Sequence, residues 1–259
     1  PRAVLPGPEL RRLPRLVPMA LAAARQACAR AGLPTGVDLP PEAARRVGLI
    51  LGTGAGGIDF TLDQAAIGAR GERQSLWTIT NATHGNLAGE LSIALGLRGP
   101  SLCVSTGCAS SSDALGLALD LLRSPRPGAP EAVVVVGADA HVRWEVLSSM
   151  ELLRVITTRD FRAEPDLAPT ASRPFDATRD GFVLGEGAWA VVLERPEHAA
   201  TRPRAATSAT SPTLATSTPL GSLLGYAATC DAYHRVRPDP EMAEVVRAVR
   251  DALADAALG

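Results

Sequence analysis

The sequence predicts a layered α/β fold, and three observations carry that reading. Residues 132–136 (AVVVV) form an unbroken β-branched run, which calls for a strand covered on both faces. Residues 46–52 (RVGLILG) form a second short apolar run that opens onto glycine, the mark of a buried strand. Around these two runs, helix-like and strand-like segments alternate along the chain.

Taken in order, residues 1–15 are rich in Pro and Arg and read as a loose N-terminal segment. Residues 16–31 carry apolar side chains at helical spacing and end in Gly32-Leu33-Pro34, a helix stop. Residues 81–96 again have helical periodicity, and Gly99-Pro100 turns the chain into a strand at 101–106 (SLCVST). A helix rich in Ala and Leu is predicted over 109–122, and further strand material over 182–193. Residues 16–200 thus read as the main unit. Residues 201–219, rich in Thr, Ser, Ala and Pro, read as a flexible insertion. Within 220–259 a short strand is expected at 223–228 and an amphipathic helix at 241–257. No internal repeat is visible.

Composition narrows the function. Of 259 residues, 46% are hydrophobic and 20% charged, which supplies a core and excludes disorder as a description of the whole chain. Basic residues number 26 against 27 acidic ones, a net charge of −1, so no bulk basic field exists for nucleic acid or an anionic membrane. Every basic residue is Arg; the absence of Lys excludes a Walker A loop, a Schiff-base lysine and pyridoxal chemistry within these residues. Cys28, Cys103, Cys108 and Cys230 show no CxxC spacing, against both a zinc knuckle and a disulfide scaffold, and point to reduced thiols in the cytoplasm. No apolar run approaches the roughly 18 residues of a membrane span, and no signal peptide is expected. The opening Pro, where Met would stand, is read as a fragment or a processed form. Aromatic residues at 3% leave little material for stacking bases or sugars.

The sharpest motif is Ser105-Thr106-Gly107-Cys108-Ala109-Ser110-Ser111, where a predicted strand gives way to a small-residue helix. A helix N-terminus presents unpaired N–H groups and the positive end of the macrodipole, which favours thiolate and offers a donor to an oxyanion. Gly107 and its short neighbours leave room for a substrate. Covalent acyl transfer through a thioester needs this arrangement. A buried structural cysteine is the other reading of the same residues.

VSTGCASSSDALGLALDLL resembles the active-site elbow of β-ketoacyl synthases, members of the thiolase superfamily. The likeness recurs in order. Ser172-Arg173-Pro174-Phe175-Asp176 with residues 179–188 (RDGFVLGEGA) is similar to that family's second signature. Asp231-Ala232-Tyr233-His234 is similar to a third, and AVVVVGADA to the strand after the nucleophile helix.

The resemblance implies a layered thiolase-like fold (α-β-α-β-α), of which this chain carries mainly the N-terminal half, with residues 220–259 closing that half and beginning the next. It implies Cys108 as the acyl-accepting nucleophile, its backbone N–H an oxyanion donor. It implies Met150 at the acyl pocket and His234 beside the pantetheine tunnel. No resident cofactor is implied; the acyl group arrives on the phosphopantetheine of an acyl carrier protein, and a second ketosynthase-like subunit completes a homodimer or heterodimer. The two histidines and the lysine that drive decarboxylation of malonyl carrier in the family, and its phenylalanine gate, have no counterpart among these residues, and the family's opening strand is also missing. Fatty-acid and polyketide pathways both remain open, as does a non-catalytic fragment or dimer partner. Chain-length-factor partners in the family usually lack the cysteine, so Cys108 favours the catalytic lineage. Two departures stand out: Gly107 where many members have Ala, and Val236 where fatty-acid members commonly have Thr.

Two further patterns in the sequence admit a competing chemistry. Residues 52–57 (GTGAGG) satisfy GxGxxG after a strand, but Glu72, near the distance for a ribose ligand, follows Gly71 in a polar stretch rather than ending a strand. Asp176, Arg179, Asp180 and Glu186 are expected to form a buried charge network bracing the site floor rather than acid–base machinery. His84, His141 and His198 are expected to be structural or at the surface.

Overall fold

The apolar runs become the strands of one mixed sheet, in the order β2-β1-β3-β4. The computed structural model describes residues 5–36, 39–201 and 219–258. Strand β1 (Val47–Gly52) lies between β2 (Ser101–Val104) and β3 (Ala132–Asp139), parallel to both, and β4 (Gly187–Glu194) closes the other edge antiparallel to β3. All of β1 and all but the last residue of β3 are buried.

Ten helices among the described residues surround the sheet: α1 (Gly7–Arg11), α2 (Leu16–Ala31), α3 (Pro41–Arg45), α4 (Ile58–Ala69), α5 (Thr78–Ala82), α6 (His84–Leu95), α7 (Ser110–Arg123), α8 (Trp144–Leu152), α9 (Pro196–Thr201) and α10 (Ala243–Asp255). Strand alternation sorts the core into two layers. Val47, Leu49 and Leu51 of β1, with Ala132, Val134 and Val136 of β3, pack against Leu16, Leu21, Leu87 and Leu91 of α2 and α6. Ile50, Val133 and Val135 face the other way, onto Ala114 and Ala118 of α7. The doubly covered sheet expected from AVVVV is therefore present.

The helix at 16–31 ends where Gly32 adopts φ +65° and its N–H caps the carbonyls of Cys28 and Ala29, as the stop signal implies. Two expectations need correction. Residues 223–228 form no strand: the Leu224 carbonyl accepts Arg123 Nη2 at 2.5 Å and the Tyr226 N–H donates to Asp255 at 2.9 Å, so their backbone groups serve side chains instead of a ladder. Strand β4 begins at Gly187, not at 182, because Phe182 instead makes an isolated bridge with Ile156. Of the insertion expected at 201–219, Thr201 ends α9, and 202–218 lie outside the described residues.

Helices α1, α3, α4, α8 and α9 were not expected, and α1 falls within the N-terminal residues read as loose. Asp59 and Gln64 are buried on α4 and interrupt its apolar stripe; Asp59 accepts the Arg15 N–H at 3.0 Å and Gln64 accepts the Ser75 N–H at 2.7 Å.

Val134 sits fully buried where both layers depend on β3. Val134→Ala is expected to lower unfolding free energy by about 2 kcal/mol in urea titration, through lost burial and the cavity left behind; an unchanged midpoint would contradict this placement of the core.

Candidate active site

The parallel strands all end on one side of the sheet, the side on which open α/β sheets place their ligands. There the last paired residues of β1 and β3 are both glycines, Gly52 opposite Gly137. A Cβ on Gly52 would lie 2.6 Å from the Ser110 carbonyl oxygen, and one on Gly137 would lie 2.4 Å from Ser111 Oγ. The two bare positions form a platform onto which the first turn of α7 descends.

The chain reaches that platform from β2. Gly107 takes φ +64°, a conformation glycine adopts without strain, and a 3-10 turn over Gly107–Ala109 runs directly into α7. Ser110, buried, stitches the turn: its hydroxyl accepts the Thr106 N–H at 2.9 Å and donates to the Gly107 carbonyl at 2.6 Å. Cys108 is the middle residue of the turn and is exposed. This is the predicted strand-to-helix elbow, and the thiol is not sealed in the core.

The four cysteines differ in kind. Burial pushes the Cys28 thiol up to about 12 and the Cys103 thiol up to about 11, from an ordinary 9.0, so both hold their protons. Cys108 and Cys230 are the exposed pair, and of the two Cys108 stands at a helix N-terminus.

The glycine-rich segment after β1 supports this turn. Asp139, the last residue of β3, accepts the Thr53 hydroxyl at 2.9 Å, the Gly54 N–H at 3.1 Å and the Ala55 N–H at 2.9 Å. A Cβ on Gly54 would meet the Gly107 carbonyl at 3.1 Å, so the loop lies directly against the elbow. The N–H groups that would cradle a phosphate are taken by a carboxylate of the protein itself, which explains GTGAGG without a nucleotide. Glu72 is exposed and pairs with Arg70 at 2.5 Å.

The remaining expected residues lie as follows. Met150 is half-buried on α8, its carbonyl accepting the Val155 N–H. His234 is exposed, and its Nδ1 accepts the Val236 and Arg237 N–H groups at 3.1 and 3.2 Å. Neither is hydrogen-bonded to the Cys108 turn among the described residues. His84 covers Gly56, where a Cβ would lie 2.5 Å from its Nε2; His141 Nδ1 is 3.7 Å from Asp139; His198 pairs with Glu194 at 2.8 Å.

The charge network is corrected. Asp176, Arg179 and Asp180 are exposed, and Phe175, within the motif's first half, is 100% exposed. Their partners are close in sequence or at the surface: Asp176 accepts the Thr178 N–H and hydroxyl at 2.7 Å, which hold its carboxyl below the usual range, and Asp180 pairs with Arg159 at 2.5 Å. Glu186 alone is half-buried, accepting from Arg15 and from the Val142 N–H. Sequence reasoning passed over Asp139, Ser110, Asp113 and Tyr226; for Asp139 the available signal was an acid directly ending an apolar strand.

A cavity of about 670 Å³, lined by Leu33, Leu39, Arg46, Glu131, Arg195 and His198 among others, lies at the opposite end of the sheet. Among the described residues no group of three or more His, Cys, Asp or Glu is arranged to hold a metal ion, and no helix is long and apolar enough to cross a membrane.

Two outcomes follow. Gly52→Ala drives a Cβ into the Ser110 backbone and is expected to cost about 2 kcal/mol or more and to change the iodoacetamide reactivity of Cys108; wild-type stability and reactivity would dismiss the glycine platform. Because Cys28 and Cys103 keep their protons in the folded state, their contribution is complete below pH 9.0 and is lost as pH rises through about 11 for Cys103 and about 12 for Cys28. The thermal midpoint should therefore fall over that range, and fall less steeply in Cys28→Ala; equal slopes in the two proteins would refute the burial effect.

The family model described as "Beta-ketoacyl synthase, N-terminal domain" matches residues 6–199. Nodulation protein E of Rhizobium leguminosarum bv. trifolii is 35% identical over 261 residues, covering 100% of this chain and 57% of that protein. A 3-oxoacyl-[acyl-carrier-protein] synthase 2 of Synechocystis is 32% identical, covering 96% of this chain and 55% of the relative. Among solved structures, a β-ketoacyl synthase from Burkholderia phymatum superposes with a TM-score of 0.78 at 27% identity, over 98% of this chain and 56% of that one. The ishigamide ketosynthase/chain length factor gives 0.71 at 26% identity, over 96% and 55%. A type II polyketide ketosynthase solved with its acyl carrier protein gives 0.74 at 23% identity, a likeness of fold. The chain thus spans somewhat over half the length of these relatives. A cysteine elbow on a sheet of this topology, with the family's domain model running from residue 6 to residue 199, makes this chain a member of the β-ketoacyl synthase family with the thiolase-like fold.

Proposed function

We propose that this chain is the acyl-accepting part of a β-ketoacyl synthase of fatty-acid or polyketide synthesis, with Cys108 as the nucleophile. The observation that carries the reading is the exposed thiol at the head of α7, held there by the glycine platform. In the proposed step the Cys108 sulfur attacks the carbonyl carbon of an acyl thioester on the phosphopantetheine of an acyl carrier protein. The tetrahedral oxyanion meets the N–H groups at the helix start, including that of Cys108. The bond to the pantetheine sulfur then breaks, and that sulfur leaves as a thiol carrying the proton that Cys108 gave up.

Met150 is assigned to the acyl pocket and His234 to the border of the pantetheine path. Support for the carrier as a partner comes from the neighbour solved with one, and support for a second ketosynthase-like subunit from the ketosynthase/chain length factor. The subsequent condensation with malonyl carrier needs basic groups beside the thioester. Of the histidines here, His84 lies against Gly56, His141 stands 3.7 Å from Asp139, His198 pairs with Glu194 and His234 accepts from its own backbone turn.

Intact-mass measurement after incubation with an acyl-carrier thioester tests the reading. One acyl group is expected on the wild type and none on Cys108→Ala, with no carbon dioxide released from malonyl carrier. Equal labelling of both proteins would remove Cys108 as the acceptor. Absence of labelling on either would favour a non-catalytic partner, and release of carbon dioxide would overturn the division of labour.

A further inference from the structure

Asp113, in the first turn of α7, receives two hydroxyl hydrogen bonds from opposite directions. Thr106 Oγ1, from the strand side of the elbow, donates to Oδ2, and Tyr226 Oη, from beyond residues 202–218, donates to Oδ1. The Tyr226 ring lies against α7, where a Cβ on Gly116 would come within 2.2 Å of it. Below it, Arg123 Nη1 holds both oxygens of Asp255 at 2.9 Å, and Asp255 in turn accepts the Tyr226 N–H at 2.9 Å. A Cβ on Gly225 would meet the Ala252 carbonyl at 2.5 Å, so α10 backs the same strand of chain.

We propose that Asp113 and Tyr226 are positioning residues that hold the Cys108 elbow in its reactive shape, coupling it to the segment that carries α10. The role rests on the reading of Cys108 as nucleophile, but the geometry does not.

The physical case has two parts. The elbow contains a left-handed residue, Gly107, between two short segments, and such a turn keeps its shape only while its flanks are tied. Ser110 ties it from inside the helix and Asp113 ties it from outside, through Thr106. The second part is electrostatic. A carboxylate at a helix N-terminus is stabilised by the macrodipole and opposes a second negative charge nearby, such as a thiolate. Two hydroxyl donors disperse that charge, and removal of one concentrates it again. Burial and the Asp113 carboxylate push the Tyr226 phenol up to about 12, so it remains a donor throughout the working range of pH.

A double-mutant cycle on the 259-residue chain tests this, with the rate of iodoacetamide alkylation read separately at each cysteine by peptide mass. Tyr226→Phe keeps the ring on Gly116 and removes only the hydroxyl. It is expected to slow alkylation of Cys108 about threefold, while Cys230 stays at its wild-type rate and Cys28 and Cys103 stay slow. In an Asp113→Ala background, which leaves the hydroxyl no acceptor at position 113, the same change is expected to have no further effect. Equal slowing in both backgrounds would show that the hydroxyl does not act through Asp113 and would overturn the proposal. So would an unchanged Cys108 rate in Tyr226→Phe, or faster reaction at Cys28 and Cys103, which reports general loosening. Iodoacetamide needs no acyl carrier, so failure of enzymatic acylation would leave this test intact.

Discussion

Two glycines paired across neighbouring parallel strands, Gly52 and Gly137, decide how near a helix can come to the edge of the sheet. A methyl group on either would collide with the backbone or side chain of the first turn of α7. Everything proposed about the sulfur follows from that closeness. Residues 105–109 join β2 to α7, the last three as a 3-10 turn, and this short exposed link presents Cys108 to solvent. The fold thus converts two absent side chains into one displayed thiol.

Several polar groups near the elbow are satisfied from within the protein. Asp139 fills the glycine-rich loop with its own carboxylate, Ser110 bridges the turn, and Asp113 gathers one hydroxyl from the elbow itself and one from far along the chain. Such networks specify one arrangement because an unpaired partner in a partly dry environment is costly. In the role proposed for Cys108, the consequence is a thiol held in one orientation before any substrate arrives. It also gives the GTGAGG segment a structural meaning, as a brace between the end of β3 and the Gly107 carbonyl.

Much of this was legible in the residues alone. AVVVV and RVGLILG could belong only to covered strands, and glycine marked the end of α2 through its left-handed conformation. Cys108 could be singled out because a strand pattern meets a helix pattern there. Other parts were not legible for identifiable reasons. The helix at Ile58–Ala69 hides behind buried Asp59 and Gln64, whose partners lie far along the chain or across a loop. Residues 223–228 have strand-like composition, but Arg123 and Asp255 claim their backbone, a competition visible only in three dimensions. The charged residues at 176, 179 and 180 read as a buried network, but they are exposed and find other partners: Asp176 accepts from Thr178, and Asp180 pairs with Arg159, 21 positions away. The bond between Asp113 and Tyr226 spans 113 positions and leaves no local trace.

The most direct measurement is to map the acyl group itself. After incubation with an isotope-labelled acyl-carrier thioester, the protein is digested under mild acid and the label located by peptide sequencing, with and without hydroxylamine. A label confined to the peptide that contains Cys108, and released by hydroxylamine as a thioester must be, is the predicted result. A label on Cys230, or one that resists hydroxylamine, would contradict the role given to the thiol at the head of α7.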